Sequence, residues 1–281
     1  MTARRADGSA GDADYGVIGK GYAHFRRPDA RIASAILAVL GDAKTVLNVG
    51  AGTGSYEPVD RAITAVEPSA AMRAQRPLHL PRAIDAVAEA LPFADKTFDA
   101  AMATFSVHQW PDLAKGLREM RRVTRGPVAV MTGDPEALDR FWLADYAPEV
   151  IATEARRYPT IAAIATALGG AVETIDVPIP LDCRDGFNEA YYGRPEMLLD
   201  PNVRLACSAW SFVAPDAIAH FENDLKRDLD SGAWDARYGH LRTQPTFDGS
   251  LRLVVSRASG RPWSIARRRS RSQPGHVSRR I

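Results

Sequence analysis

The stretch VLNVGAGTGSYE, Val46–Glu57, most constrains how this 281-residue chain can fold. An apolar, β-rich run ends directly in glycines at every second position, Gly50, Gly52 and Gly54. Glycine is needed where a chain turns sharply with positive φ, and where a ligand lies so close to the backbone that a Cβ would collide with it. The stretch therefore predicts a buried strand that ends in a tight, ligand-binding turn and leads into a helix.

Strands and helices alternate along the first half of the chain. Short β-rich apolar runs predict buried parallel strands at Thr45–Val49, Ile63–Val66, Phe98–Thr104 and Pro127–Thr132. Helices are predicted between Pro28 and Gly41, over Pro68–Arg76 and over Asp112–Val123. This order predicts an α/β fold, with a Rossmann-like, doubly wound and mostly parallel sheet covered by helices on both faces.

The second half has a looser pattern. Glu136–Ala167 predicts two helices, Ala171–Val177 a strand, and Asp185–Leu241 a mostly helical region. Leu251–Ser256 is the last apolar run and predicts a final strand.

Charge is divided unevenly between the body and the tail. The chain has 36 Lys and Arg against 34 Asp and Glu, a formal net charge of +2. Residues 257–281 hold eight arginines and no acid, which leaves 28 basic and 34 acidic residues in 1–256. Without an apolar period, the tail is predicted to be disordered. Because the body is acidic, a nucleic-acid partner is not expected.

Composition excludes several other classes of protein. With 46% apolar and 25% charged residues, the chain is neither disordered nor fibrous. No apolar run is long enough to span a membrane and no secretory signal opens the chain, so a cytoplasmic location is expected. Cys183 and Cys207 form no CxxC pair, and Asp185 with Glu189 is an i,i+4 acid pair without partner ligands. We therefore expect two small buried cysteines, no disulfide and no metal site.

A carboxylate follows the second predicted strand, beside the glycine turn. ITAVEPS ends its strand at Glu67, which can accept hydrogen bonds from both hydroxyls of a ribose. The dinucleotide fingerprint needs glycine at position 55, where Ser55 stands, and no P-loop lysine follows. A ribose-containing ligand is therefore favoured. A glycine loop without a ligand and a nicotinamide-dependent reductase are the alternatives.

Four stretches resemble, in order and spacing, the class I S-adenosylmethionine (SAM) dependent methyltransferases of the small-molecule type 11 group. They are LNVGAGTGSYE, AVEPSAAM, AEALPFADKTFDAAMATFSVHQW and LREMRRVTRGPVAVMT. The resemblance covers Thr45–Thr132 and implies the class I methyltransferase fold with an antiparallel last strand, SAM as cofactor and a small-molecule methyl acceptor. Residues 134–242 resemble the variable, substrate-covering part of such enzymes.

The resemblance also implies roles for individual residues. Those implied for SAM binding are Gly50, Ala51, Gly52, Gly54, Glu67, Pro68, Met72, Ala88, Glu89 and Thr104. The glycines would lie against the methionine and ribose, and Glu67 would bind the ribose hydroxyls. Met72, Ala88 and Glu89 would surround the adenine, and Thr104 would lie near the sulfonium.

Two positions depart from the family pattern. Asn48 occupies a position often held by aspartate, which weakens an ordering hydrogen bond. Val87 stands where an acidic residue often binds the adenine amine, which leaves adenine recognition to backbone groups or to Glu89.

Residues outside these motifs are candidates for the acceptor site and the lid. His108 follows a strand end, where open α/β sheets bind ligands, so it is a candidate base, with a scaffold role as the alternative. Trp110 is a candidate pocket wall, and Tyr15 and Tyr22 are candidate lid residues above the cofactor. Arg27, like its neighbour Arg26, precedes a helix whose dipole disfavours cations, so a carboxylate partner is expected for at least one of them.

The expected organisation has four parts. Residues 1–44 form N-terminal lid helices, 45–133 a SAM-binding Rossmann-like core, 134–256 a helical substrate cap with the last strands, and 257–281 the tail. We expect methyl transfer to an oxygen, nitrogen or carbon of a small molecule, by a monomer or homodimer without a membrane partner. The alternatives are an RNA or protein methyltransferase that uses the tail, and a non-catalytic SAM-binding protein on the same fold.

Overall fold

The computed structural model describes residues 22–257. Its strands are β1 Thr45–Val49, β2 Ala62–Val66, β3 Ala100–Thr104, β4 Val128–Gly133, β5 Ala171–Asp176, β6 Ile179–Pro180, β7 Thr246–Phe247 and β8 Leu251–Arg257. Six of them form a sheet of order β2-β1-β3-β4-β8-β5. β1 to β4 pair in parallel, and β8 runs antiparallel to both β4 and β5. The predicted mostly parallel sheet with an antiparallel last strand is confirmed.

Helices surround this sheet. They are α1 Tyr22–Phe25, α2 Ala30–Leu40, α3 Ala70–Ala74, α4 Leu113–Val123, α5 Leu143–Tyr146, α6 Pro148–Arg157, α7 Ile161–Leu168, α8 Pro201–Leu205, α9 Pro215–Ser231 and α10 Ala233–Tyr238, with short 3₁₀ turns between them. Local chemistry sets their ends. The Asp29 side chain accepts the Arg31 N–H at the start of α2, and Gly41 ends that helix at φ +54°. None of the helices within residues 22–257 is long and apolar enough to cross a membrane.

Each face of the sheet carries its own apolar cluster. On one face, α4 and α7 bury side chains such as Leu117, Met120 and Ile164. On the other, α2 and the region after residue 134 bury theirs, including Trp142 and Trp234. The sheet is therefore covered on both sides, as the α/β prediction requires, and the region after residue 134 shares its core with the sheet.

Some predicted boundaries were wrong. The region 136–167 contains three α-helices, not two, because Pro148 starts α6 at a position where a helix tolerates proline. The helix predicted over Pro68–Arg76 is only α3, since Ser69 caps its first turn. The β6–β7 pair has two residues per strand, too few for a recognisable pattern. The lid before residue 22 and the tail beyond residue 257 lie outside the described residues.

Candidate functional site

The glycine turn after β1 closes over the end of β2. The backbone N–H groups of Gly50 and Ala51 both donate to the Val66 carbonyl, each at 2.9 Å. Gly50, Gly52 and Gly54 have φ values of +68°, +52° and +94°. Residues with a Cβ rarely adopt these angles, so the turn depends on the glycines that the sequence places there.

Two of the three glycines lie against protein side chains. A Cβ on Gly50 would lie 2.6 Å from the Cβ of Ser106, and a Cβ on Gly54 would lie 2.3 Å from Cδ1 of Leu80. Gly54 thus packs under the turn and does not line the cavity described below. The contact between Gly54 and the ligand stays a prediction.

Glu67, at the end of β2, forms a hydrogen bond with the glycine turn. One carboxylate oxygen accepts the Gly52 N–H at 2.8 Å, and the other accepts the Ser69 N–H at 2.8 Å. A Cβ on Gly52 would meet only Met72 Cε, at 3.3 Å, so this glycine faces open space. Burial raises the pKa of Glu67, while the two N–H groups act in the opposite direction. The result is a buried carboxylate held beside a bare backbone segment.

A first cavity of about 860 Å³ opens at the carboxyl ends of β1, β2 and β3. The side chains and backbone that line it are Arg26, Gly50, Ala51, Gly52, Thr53, Ser55, Tyr56, Glu67, Pro68, Met72, Val87, Ala88, Glu89, Thr104, Phe105, Ser106, Gln109, Trp110, Pro111 and Asp185. This is the edge of an open α/β sheet at which ligands bind.

The structure brings most of the candidate residues together. Of the ten residues implied for SAM binding, all except Gly54 line the first cavity. Trp110 also lines it, and its ring occupies the space that a Cβ on Gly116 would need, at 2.7 Å. Glu89 accepts the Asp112 N–H at 3.1 Å, so one of its carboxylate oxygens already has a partner at the start of α4.

A buried ion pair contacts the backbone of the glycine turn. Arg76 donates to both carboxylate oxygens of Glu57, at 3.0 and 2.8 Å, and also to the Gly52 carbonyl at 3.4 Å. The Asn48 amide donates to Glu57 at 3.0 Å. This explains the departure at position 48, because an aspartate there would place two carboxylates side by side, whereas asparagine supplies a donor.

Asp185 joins three parts of the chain at the rim of the first cavity. It accepts the Arg26 Nε–H at 2.6 Å and the Tyr56 hydroxyl at 2.9 Å. Arg26 and Asp185 also form an isolated antiparallel bridge, and the Arg26 guanidinium lies 5.1 Å from the ring centroid of Phe105. The carboxylate partner expected for at least one of the two arginines is thus present, and it pairs with Arg26. Arg27 is exposed, contacts His24 and does not line this cavity.

A second cavity of about 500 Å³ adjoins the first and shares Arg26 and Phe105 with it. Its other lining residues are His108, Glu154, Arg157, Tyr158, Phe187, Asn188, Ala206, Cys207 and Ser208. The His108 ring packs edge-on against Tyr158 with centroids 4.9 Å apart. His108 therefore lies in the second cavity and not in the first, and its role as a base stays a prediction.

Several lining residues were missed by the sequence interpretation. Asp185 was interpreted only as half of an acid pair with Glu189, yet Asp185 faces Arg26 while Glu189 accepts from Ser250. Glu154 was not singled out, because a lone glutamate in a helix carries no local signal. Cys183 and Cys207 are buried and free, as predicted. Tyr15 lies outside the described residues, and the lid role of the Tyr22 side chain stays a prediction.

Comparisons with known proteins agree with this architecture. The family model of the methyltransferase domain matches residues 47–128. A putative methyltransferase from an antibiotic biosynthesis pathway of Anabaena variabilis has 30% sequence identity and a TM-score of 0.76 over 83% of this chain and 98% of that one. A SAM-dependent methyltransferase from Thermotoga maritima, 16% identical with a TM-score of 0.51 over 86% and 95% of the two chains, shows the same fold.

A curated relative shares part of the chain. The malonyl-[acyl-carrier protein] O-methyltransferase of Pseudescherichia vulneris is 31% identical over 145 residues, which is 47% of this chain and 58% of that protein. The matched region is therefore just over half the length of that relative. With the domain match, the structural likeness over 83% of the chain and the glycine turn facing Glu67 together, the chain belongs to the class I SAM-dependent methyltransferases.

Proposed function

We propose that this methyltransferase binds SAM in the first cavity and methylates a small molecule held in the second cavity. The observation that carries the proposal is the juxtaposition of two sites. The glycine turn and the Glu67 carboxylate form one wall of the first cavity, and the opposite side of that cavity shares Phe105 and Arg26 with the second. A donor and an acceptor bound in these two spaces would meet beside Phe105.

The residues of the first cavity fit SAM. Gly52 offers bare backbone where a Cβ would take up ligand space, and the Glu67 carboxylate lies beside it to accept from ribose hydroxyls. Met72 and Ala88 supply apolar surface for the adenine, and Thr104 lies at the end of β3 nearer the second cavity. When bound there, SAM supplies a methyl group on a positively charged sulfur.

The chain would contribute orientation above all. Phe105 holds a strained backbone, with φ +51°, and its ring packs against Phe187 with centroids 5.4 Å apart. A residue fixed in this way between two cavities can align an acceptor's lone pair with the methyl group. Orientation and exclusion of water of this kind can supply several kcal/mol, on the order of 7–11 in the best cases.

The region after residue 134 would act as the substrate cap. It supplies Glu154, Tyr158 and Phe187 to the second cavity and Asp185 to the first. The named relatives act in antibiotic biosynthesis and on a malonyl group, which supports a small or carrier-bound acceptor. An acceptor hydroxyl would need a proton acceptor, and His108 in the second cavity is our candidate.

Calorimetry and turnover assays test this function. We expect SAM and S-adenosylhomocysteine to bind with micromolar dissociation constants and NAD to bind much more weakly, because Glu67 and the glycine spacing suit a single ribose. Conversion of SAM to S-adenosylhomocysteine should then depend on an added small acceptor. Tighter binding of NAD than of SAM would overturn the assignment.

A further inference from the structure

Glu154 is a carboxyl group in the second cavity whose charge is not matched by an ion pair. Asn188 Nδ2 donates to it at 2.9 Å. Among residues 22–257, no lysine or arginine lies within ion-pair distance of it. A second acid nearby, Glu189, is buried and has both oxygens bonded to Ser250, by the N–H at 2.8 Å and the hydroxyl at 2.6 Å. Glu154 thus differs from Glu189 in facing a cavity with a single amide partner.

Two arginines, Arg26 and Arg157, line the same cavity as Glu154 but lie beyond ion-pair distance of its carboxylate. Burial and the nearby Glu189 raise the pKa of Glu154 to about 7, against the smaller opposing effects of Asn188, Arg157 and Arg26. Both arginines are engaged elsewhere. Arg26 is bonded to Asp185. Arg157 donates to Ser208 at 2.8 Å and lies 4.7 Å from the ring centroid of Phe212.

The remaining titratable neighbours are His108 and Tyr158 on the cavity wall and Cys207 at its far side. Burial raises the pKa of both the Tyr158 hydroxyl and the Cys207 thiol, so these two groups stay uncharged at neutral pH. Neither can offset an ionised Glu154. The Glu154 carboxylate is half-buried and lines the cavity, so a cationic group of a ligand there would pair with it.

Part of the cavity wall is aromatic. Phe105, Tyr158 and Phe187 line it beside several polar side chains, and the cavity of about 500 Å³ is smaller than the first, which favours a compact molecule. Aromatic rings also attract cations and apolar bodies alike. The ligand that matches this surface has one positively charged end and a small apolar or aromatic body.

We propose that Glu154 is the recognition group for the methyl acceptor, and that the acceptor is a compact amine that binds as its ammonium ion. One ammonium proton then passes to the Glu154 carboxylate, which frees the nitrogen lone pair to take the methyl group as the bond between that carbon and sulfur breaks. The proposal rests on the proposed function, since it takes the second cavity as the acceptor site. It selects amines over alcohols and carboxylates of the same size, because only the amine brings a positive charge to the Glu154 carboxylate.

Binding of three matched probes tests this selectivity. Phenethylamine, 2-phenylethanol and 3-phenylpropionate differ mainly in the polar end, and each is titrated by calorimetry into the full chain. We expect the amine to bind about tenfold or more tightly than the alcohol, the scale of a hydrogen bond to a charged group. Equal binding of amine and alcohol, tightest binding of the carboxylate, or no binding of the amine would overturn the proposal.

A pair of variants assigns the selectivity to one residue. Glu154→Gln keeps an oxygen for Asn188 but removes the charge, so the preference for the amine should fall to about one. Glu149→Gln removes an exposed carboxylate from the same helix and should leave the preference intact. Amine preference that persists in Glu154→Gln would show that another group binds the ammonium. If that variant does not fold, the probe series on the unaltered chain still decides.

The pH dependence adds a readout that a merely structural Glu154 would not change. Raising the pH from about 6 to about 8 should tighten amine binding several-fold, because the carboxyl ionises near 7 while the amine stays protonated. The alcohol should show no such change. SAM affinity measured in the same samples separates the two proposals: loss of SAM binding contradicts the function, and loss of amine preference contradicts the role of Glu154.

Discussion

Replacing Gly50 by alanine separates the two reasons for which glycine occupies the turn. The first reason is backbone strain, which is about 1–2 kcal/mol for a residue with a Cβ at positive φ. Gly232→Ala is a matched control for this effect, because Gly232 has φ +79° and ψ +4° and its Cβ would meet no atom within 4 Å. We expect this control to lose only the strain energy.

Gly50→Ala adds a collision to the strain. The new Cβ would lie 2.6 Å from Cβ and 2.7 Å from Oγ of Ser106. Ser106 cannot rotate away freely, since its hydroxyl donates to the Val49 carbonyl at 3.1 Å in a buried position. Overpacking of this kind costs about 1–3 kcal/mol, and loss of the hydrogen bond about 1 kcal/mol more. The free energy of unfolding should therefore fall by about 3–6 kcal/mol, strain included.

Urea unfolding followed by circular dichroism measures both losses without ligand. Alanine at Gly52 should affect SAM affinity more than stability, because its Cβ would meet only Met72 Cε, at 3.3 Å, and would project toward the first cavity. Gly52→Ala should lose little more stability than Gly232→Ala, yet lose SAM affinity. The reasoning fails if Gly50→Ala is no less stable than Gly232→Ala, or if Gly52→Ala binds SAM normally.

Three further substitutions test the site. Glu67→Gln should weaken SAM binding by about 1.5–3 kcal/mol in calorimetry, because an amide replaces a charged acceptor and one N–H donor of the turn loses its partner. Glu154→Gln should stabilise the fold by up to about 3 kcal/mol above pH 7 and by almost nothing below pH 4.5. The pKa of Glu154 is raised from 4.5 to about 7 in the folded state, so ionisation of this carboxyl destabilises the fold increasingly between these two pH values, and glutamine does not ionise. Urea unfolding below pH 4.5 and above pH 7 measures the difference. His108→Ala should lower turnover of a hydroxyl acceptor by about 10²–10⁴ with little change in SAM affinity if His108 is the base, and an unchanged rate returns it to a scaffold role.

The first cavity was predictable from sequence because its chemistry is local. Gly50, Gly52 and Glu67 lie at the ends of neighbouring strands, and parallel strands bring such ends to one edge of a sheet whatever the rest of the chain does. The pattern of apolar residues identifies the strands and therefore shows where each strand ends. The pattern of glycines does not tell, however, whether the missing Cβ of Gly54 makes room for a ligand or for Leu80.

The second cavity was not predictable, because it depends on how distant helices pack. Glu154 and Asn188 are 34 residues apart and meet only because α6 and the turn at Asn188–Tyr191 fold onto the same face of the sheet. No local pattern distinguishes Glu154 from the exposed Glu149 on the same helix. The difference between them is burial, which is a property of the packed structure.

The choice between Arg26 and Arg27 shows the same limit in two adjacent residues. The sequence indicates that one arginine before α2 has a carboxylate partner, but it does not indicate which. In the structure Arg26 forms an antiparallel bridge with Asp185, and successive side chains of an extended segment point to opposite sides. A shift of one residue in this pairing would exchange the two arginines between cavity and solvent. The partner of Arg26 lies 159 positions away, so the packing of the cap, and not the local sequence, decides which arginine reaches the site.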